Sequence, residues 1–127
     1  MKRYVIDAWA WLEYLEGRVM GQEVRKRIRS AELFTNPITV AEVVSKVHKT
    51  GGDVDTAYSA ITSMSQIATV GEAFAKRAGM LHGSIKKSRP NFSFGDAFTL
   101  QTAIDLHAKV LTGDPDFKGM REAEMLK

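Results

Sequence analysis

Four acidic residues stand where chemistry could be done: Asp7, Glu42, Asp96 and Asp114. Asp7 closes the strand-like run RYVID, and Glu42 lies in the first turn of a helical segment that starts at Thr39. Asp96 lies in the first turn of the apolar segment from Phe94 to His107, and Asp114 follows the run KVLT at Thr112-Gly113-Asp114. Singly, each has a plainer role. Asp7 could cap the helix after it. Thr39-Val40-Ala41-Glu42 fits the S/T-x-x-E capping box, and Glu42 could pair with Lys46 one turn on. Ser93 and Asp96 have the same spacing, with Asp in place of the usual Glu. Asp114 before Pro115 is an ordinary turn residue.

Together they point further. If the strands form one parallel sheet, all four acids emerge at its carboxyl edge, where ligands of open α/β sheets gather. Carboxylates brought together repel one another and resist ionisation. A divalent cation removes that conflict, and Mg²⁺ and Mn²⁺ favour oxygen ligands. Such a centre binds phosphate oxygens and polarises phosphorus. Neighbouring helix N-termini favour the same anion. The chemistry expected is metal-assisted hydrolysis of a phosphodiester.

The elements that must position these acids are read from periodicity. Arg3 to Asp7 is β-branched and aromatic, as a short buried strand is. Trp9, Leu12 and Leu15 then take helical spacing, up to Gly17. A second helix is expected over about Val19 to Ser30, and a weak strand over Glu32 to Thr35, closed by Asn36-Pro37. In the segment Thr39 to Lys49, Val40, Val43, Val44 and Val47 mark one helical face, with Gly51-Gly52 after it. A helix over Asp53 to Ser65, a strand over Gln66 to Val70 and a long helix over Gly71 to Ser88 follow. Phe94 to His107 is apolar almost all round, as a central, buried helix is. Lys109 to Thr112 is a fourth strand. Glu124 to Leu126 reads equally as a last short strand or part of a helix. Strands alternating with helices, without hairpin signals, predict an α/β sandwich on a small parallel sheet.

The 127 residues, 44% hydrophobic and 26% charged, predict one domain over 1–127 with a core of its own. The absence of cysteine excludes disulfide scaffolds, zinc-thiolate sites and cysteine nucleophiles. Lys and Arg total 18 against 15 Asp and Glu, a net charge of +3 that is compatible with a polyanionic partner without demanding one. The apolar stretch from Tyr4 to Leu15 is interrupted by Asp7 and Glu13, so neither a signal peptide nor a membrane span is expected, and the expected location is the cytoplasm.

The chain resembles the PIN-domain nucleases, especially the VapC-type toxins of toxin–antitoxin pairs. The resemblance rests on YVIDAWAWLEYLEG at 4–17, TVAEVVSKVHKTG at 39–51 and FSFGDAFTLQTAIDLHAKVLTGDPDF at 92–117. The last is the most specific: an Asp opening a helix, an Ala-rich helical core, then a strand ending T-x-D-x-x-F. The resemblance implies a PIN-like three-layer α/β/α sandwich and a ribonuclease dependent on Mg²⁺ or Mn²⁺. It implies an RNA substrate, a homodimer and a cognate antitoxin bound across the active-site groove. Asp7, Glu42, Asp96 and Asp114 match the family's acidic positions. Asp7, Asp96 and Asp114 would hold metal, with Asp116 a second candidate, Glu42 would serve the attacking water, and Thr112 would support the site. Trp9 departs from the pattern, since many relatives carry a small polar residue two places after the first Asp.

Other residues are weighed against plainer roles. Arg25-Lys26-Arg27-Ile28-Arg29 and Lys86-Lys87-Ser88-Arg89 could contact RNA phosphates but read more simply as solvated helix faces. Trp9, Trp11, Tyr14 and Leu15 read as core or antitoxin contact before base stacking. His48, His82 and His107 share no metal-ligand spacing and read as ordinary helix residues. There is no P-loop, G-x-G-x-x-G or nucleophile elbow. Two alternatives stand beside the toxin: a PIN nuclease for routine RNA processing, and a catalytically silent α/β module that only holds RNA or protein.

Overall fold

In the computed structural model, which describes residues 1–126, five parallel strands lie in the order β3-β2-β1-β4-β5. They are β1 (Arg3–Ile6), β2 (Glu32–Thr35), β3 (Gln66–Ile67), β4 (Lys109–Thr112) and β5 (Ala123–Met125). The six helices are α1 (Ala8–Leu15), α2 (Gly21–Ile28), α3 (Pro37–Lys49), α4 (Val54–Met64), α5 (Glu72–Lys86) and α6 (Phe94–Leu106).

The period-2 alternation of β1 divides the core between the sheet's two faces. Tyr4 and Ile6 pack with Leu33, Leu111, Trp11, Val24, Val43 and Ile61, under α1 to α4. Val5 packs with Phe34, Val110, Phe92, Leu100 and Phe117, under α6, with Leu81 and Ile85 of α5 against them. A sheet covered on both faces needs apolar residues at successive positions, which is why RYVI and KVLT read as runs. The three-layer α/β/α expectation is met.

Trp11 ties the layers. It is fully buried, and its Nε1 donates to Thr35 Oγ1 at 3.1 Å; that hydroxyl lies 2.7 Å from Ser65 Oγ. Trp11→Ala removes the ring and takes from Thr35 Oγ1 its indole donor. A loss of about 3–5 kcal/mol is expected, read from urea unfolding.

Three expectations are corrected, and one left open is settled. The third helix starts at Pro37, not Thr39: Asn36 Oδ1 accepts from Ile38 N at 2.9 Å and Pro37 takes the first helical position. Asn36-Pro37 thus starts a helix rather than merely ending a strand, and Glu42 falls in the second turn. The second helix is shorter than expected, leaving Val19 exposed outside it. β3 has two residues rather than five, because it is the sheet's edge and pairs only with β2. The last segment, open between strand and helix, is strand β5, paired with β4.

Chain order creates a crevice. From β1 the sheet grows outward through β2 and β3, and then the chain crosses to the other side of β1 to lay down β4 and β5. The crossing separates the loops leaving β1 and β4, which is where a doubly wound sheet opens at its carboxyl edge. Asp7 leaves β1 at that point, and Asp114 leaves β4.

Candidate metal centre

A cleft of about 270 Å³ lies at this edge, lined among others by Asp7, Trp9, Glu42, Asp96, Asp114 and Asp116. Every acid expected at the site borders it.

Each acid is placed by local chemistry. Asp7 caps α1, its Oδ1 accepting from Ala10 N at 2.9 Å. Asp96 closes a full capping box with Ser93: Asp96 N donates to Ser93 Oγ at 3.0 Å, and Ser93 N donates to Asp96 Oδ2 at 2.9 Å. Asp114 Oδ1 accepts from Asp116 N at 2.9 Å, and Asp114 N donates to Thr112 Oγ1 at 2.9 Å. Thr112 therefore shapes the acidic turn directly. The cap roles of Asp7 and Asp96 and their place at the cleft are not alternatives: a capping carboxylate uses one oxygen on the backbone and leaves the other free. The Thr39–Glu42 capping box is absent, because Asn36 caps that helix instead.

Asp96, Asp114 and Asp116 each offer a carboxylate oxygen, and the three oxygens lie within 4.8 Å of one another. Asp7 is not one of the three. It lies deeper, only 6% exposed, while they are half-buried. Burial pushes its carboxyl up to about 7, against the pull of the Thr112 hydroxyl and the Ala10 amide, and the charges of Asp114 and Asp96 push the same way. Glu42 and Asp96 are also raised, first by burial; Asp96 adds to the rise at Glu42, and Asp114 to that at Asp96.

This donor set fits a hard divalent cation. Its acidic donors offer only carboxylate oxygen, and three of those acids bring an oxygen within 4.8 Å of one another. Among the described residues, no Lys or Arg side chain forms an ion pair with any of the five acids. One cation approaches through the backbone: Arg89 Nη1 donates to the Asp116 carbonyl at 2.7 Å.

Two glycines hold the walls, and sequence reading passed over both. A Cβ on Gly95 would overlap the carboxylate of Glu42, and one on Gly113 would overlap the indole of Trp9. Glu42 thus lies against the start of α6, and Trp9 against the acidic turn. Gly95→Ala would favour the helix by about 0.5–1 kcal/mol yet push Glu42 aside. The expected result is an unchanged or higher melting temperature with cleavage reduced roughly tenfold or more, the size of a displaced proton acceptor. Asn91 and Thr99 also line the cleft without having been singled out; nothing in their local sequence marks them.

The remaining candidates separate by place. Arg25 lies over the Tyr14 ring at 5.4 Å, Lys26 pairs with Glu23, and Arg27 with Glu124. That basic cluster is a surface network, as the plainer reading held.

The family model described as PIN domain matches residues 4–123. The chain belongs to the PIN domain family. No curated protein matches the sequence. Solved structures with the same PIN fold include a toxin–antitoxin complex from Klebsiella pneumoniae, at 20% identity and a TM-score of 0.76, covering 96% of each chain. VapC20 of Mycobacterium tuberculosis, described as a sarcin–ricin loop cleaving toxin, aligns at 14% identity and a TM-score of 0.78, over 98% of this chain and 99% of its own. VapBC2 of Rickettsia felis, bound to a DNA fragment from its promoter, aligns at 14% identity and 0.76, with the same coverage. At these identities the likeness is one of PIN architecture, carried across the whole domain.

Proposed function

We propose that this PIN domain is an endoribonuclease dependent on Mg²⁺ or Mn²⁺, and the toxin of a type II toxin–antitoxin pair. The observation that carries the nuclease reading is the set of three carboxylate oxygens within 4.8 Å, without a cationic side chain to balance them, at the sheet's switch point. The toxin reading is supported by the solved structures of like architecture, which include a toxin described as cleaving the sarcin–ricin loop and a toxin–antitoxin complex.

In this reading Asp96, Asp114 and Asp116 would hold the ion, with Asp7 adding negative charge at the same cleft. When bound, the ion would supply positive charge that draws phosphate oxygens in and stabilises the charge building on them. Thr112 keeps the Asp114 turn in register through its bond to the Asp114 amide. Glu42, raised by burial, accepts a proton from the attacking water. Water oxygen bonds to phosphorus, the bond from phosphorus to the leaving ribose oxygen breaks, and that oxygen takes a proton from solvent. Gly95 keeps Glu42 close to Asp96.

The protein with single-stranded RNA and Mn²⁺ should cut the chain internally. Cutting should stop in EDTA and return with excess Mn²⁺. Undiminished cleavage in EDTA, or none under any divalent ion, would reject the reading. The proposed partners are an RNA substrate, a cognate antitoxin and a second copy of the chain, in the cytoplasm. Induced expression should arrest growth, and co-expression of a neighbouring antitoxin gene should relieve it. A processing nuclease would leave growth untouched.

A further inference from the structure

We propose that Phe94, backed by His82, is a stacking platform for an RNA base that flanks the phosphate in the acidic cleft. The inference rests on the nuclease reading and deepens it by naming what holds the substrate.

Phe94 contradicts its own helix. α6 is buried along most of its length, yet Phe94 is 57% exposed, where the sequence predicts an apolar, central element. One turn on, Phe98 of the same helix is packed edge-to-face on Phe74, their centroids 5.4 Å apart. Phe94 instead has a single aromatic neighbour. The His82 ring lies 4.1 Å from it and 18° from parallel, so one face is covered by a flat partner.

That partner is itself held. His82 Nε2 is 3.1 Å from the carbonyl of Phe92, a fully buried residue, and Lys86 Nζ is 3.3 Å from the same oxygen. The pair is therefore set before any ligand arrives, which lowers the ordering cost of binding.

Its place gives the occupant. Phe94 sits between Ser93 and Gly95, two residues before Asp96, and Ser93 and Asp96 both line the cleft. Two residues of chain span about 7 Å at most, so the backbone of Phe94 lies within one nucleotide's reach of the cleft. Two cations are held nearby: Lys86 shares the Phe92 carbonyl with His82, and Arg89 bonds the Asp116 carbonyl at the acidic turn. An aromatic face with cations beside it is the combination that holds single-stranded RNA, the ring taking a base and the charges its phosphates.

The test uses a fluorescent single-stranded RNA of about 12 nucleotides, bound with Mn²⁺ to the Asp96→Asn protein so that the probe stays whole. Adding Phe94→Ala should weaken binding about tenfold, and Phe94→Leu nearly as much, while Phe94→Trp holds near the parent. Probes with a single abasic site, placed at each position in turn, should include one that loses affinity on the parent and not on Phe94→Ala. Thermal melts of this exposed position control for folding. Equal binding by Phe94→Ala, or no abasic position that depends on Phe94, overturns the platform even if the wild type cleaves RNA. Phe94-dependent binding by a protein that never cleaves overturns the nuclease reading and leaves the platform standing. Absence of both binding and cleavage overturns both.

Discussion

Replacing Asp96 with Asn is expected to lower RNA cleavage by about 10³-fold, the scale of losing one preorganised electrostatic element of a catalytic centre. The fold should survive the change. Asp96 uses Oδ2 to accept from the Ser93 amide, and the amide oxygen of Asn can accept the same bond. What is lost is the negative charge and one carboxylate oxygen of a residue that supplies an oxygen to the close set with Asp114 and Asp116. Cleavage measured beside a circular-dichroism melt separates the two roles: unchanged melting with activity gone places Asp96 in the chemistry. Full activity under matched Mn²⁺ would remove it from the site. Asp7→Asn should lose cleavage as well, by the same measurement, since its charge lies directly behind the three.

The second large effect concerns the metal-free protein. Asp7 is held at about 7 in the folded chain, against 3.8 for an ordinary Asp. Its folded form therefore binds a proton that the unfolded chain has already released between those two values. Stability must fall as pH rises through that window, the reverse of a salt-bridged carboxylate. In EDTA, the Asp7 contribution to the free energy of unfolding should decline as pH rises from about 4 to about 7, by up to roughly 4 kcal/mol. Glu42 and Asp96, raised as well, act in the same direction. Asp7→Asn removes the buried charge and should flatten the profile, leaving the variant more stable than the parent at pH 8. Mn²⁺ should restore the parent at pH 8 by mass action and do much less for the variant. Urea unfolding at several pH values, with EDTA or Mn²⁺, reads all of this. A parent whose stability climbs from pH 5 to pH 8 in EDTA would contradict the buried-carboxylate account.

These two effects share one cause. The site is a cluster of like charges that the protein holds together with caps and turns, and helix stability is used to do it. Asp7 and Asp96 each bond a helix start with one oxygen, so folding the helices is what fixes both carboxylates at the cleft. This also explains why neither residue could be assigned a single role from its motif.

Much of this was legible in residue order. RYVI and KVLT are apolar at successive positions because both faces of a covered parallel strand are buried, and that signal is local. Val43 and Val47 mark the buried face of α3 by their own spacing, and both are in the core. The acids follow strands, and strands in a parallel sheet all point one way, so their meeting at one edge could be expected without coordinates. What only the tertiary structure decided is distance. Asp116 joins Asp96 and Asp114 in the close oxygen set while Asp7 lies beneath it, because the depth of each carboxylate depends on how α6 and the β4 turn settle on the sheet. Gly95 and Glu42 are 53 positions apart in the sequence, and their contact exists only because α3 and α6 pack across the same crevice. Phe94 was read as core from its helix, yet it faces out, since helix periodicity names an apolar face without saying where the neighbouring helix ends. Local pattern sets what each segment becomes; packing between segments sets which oxygens share a cation.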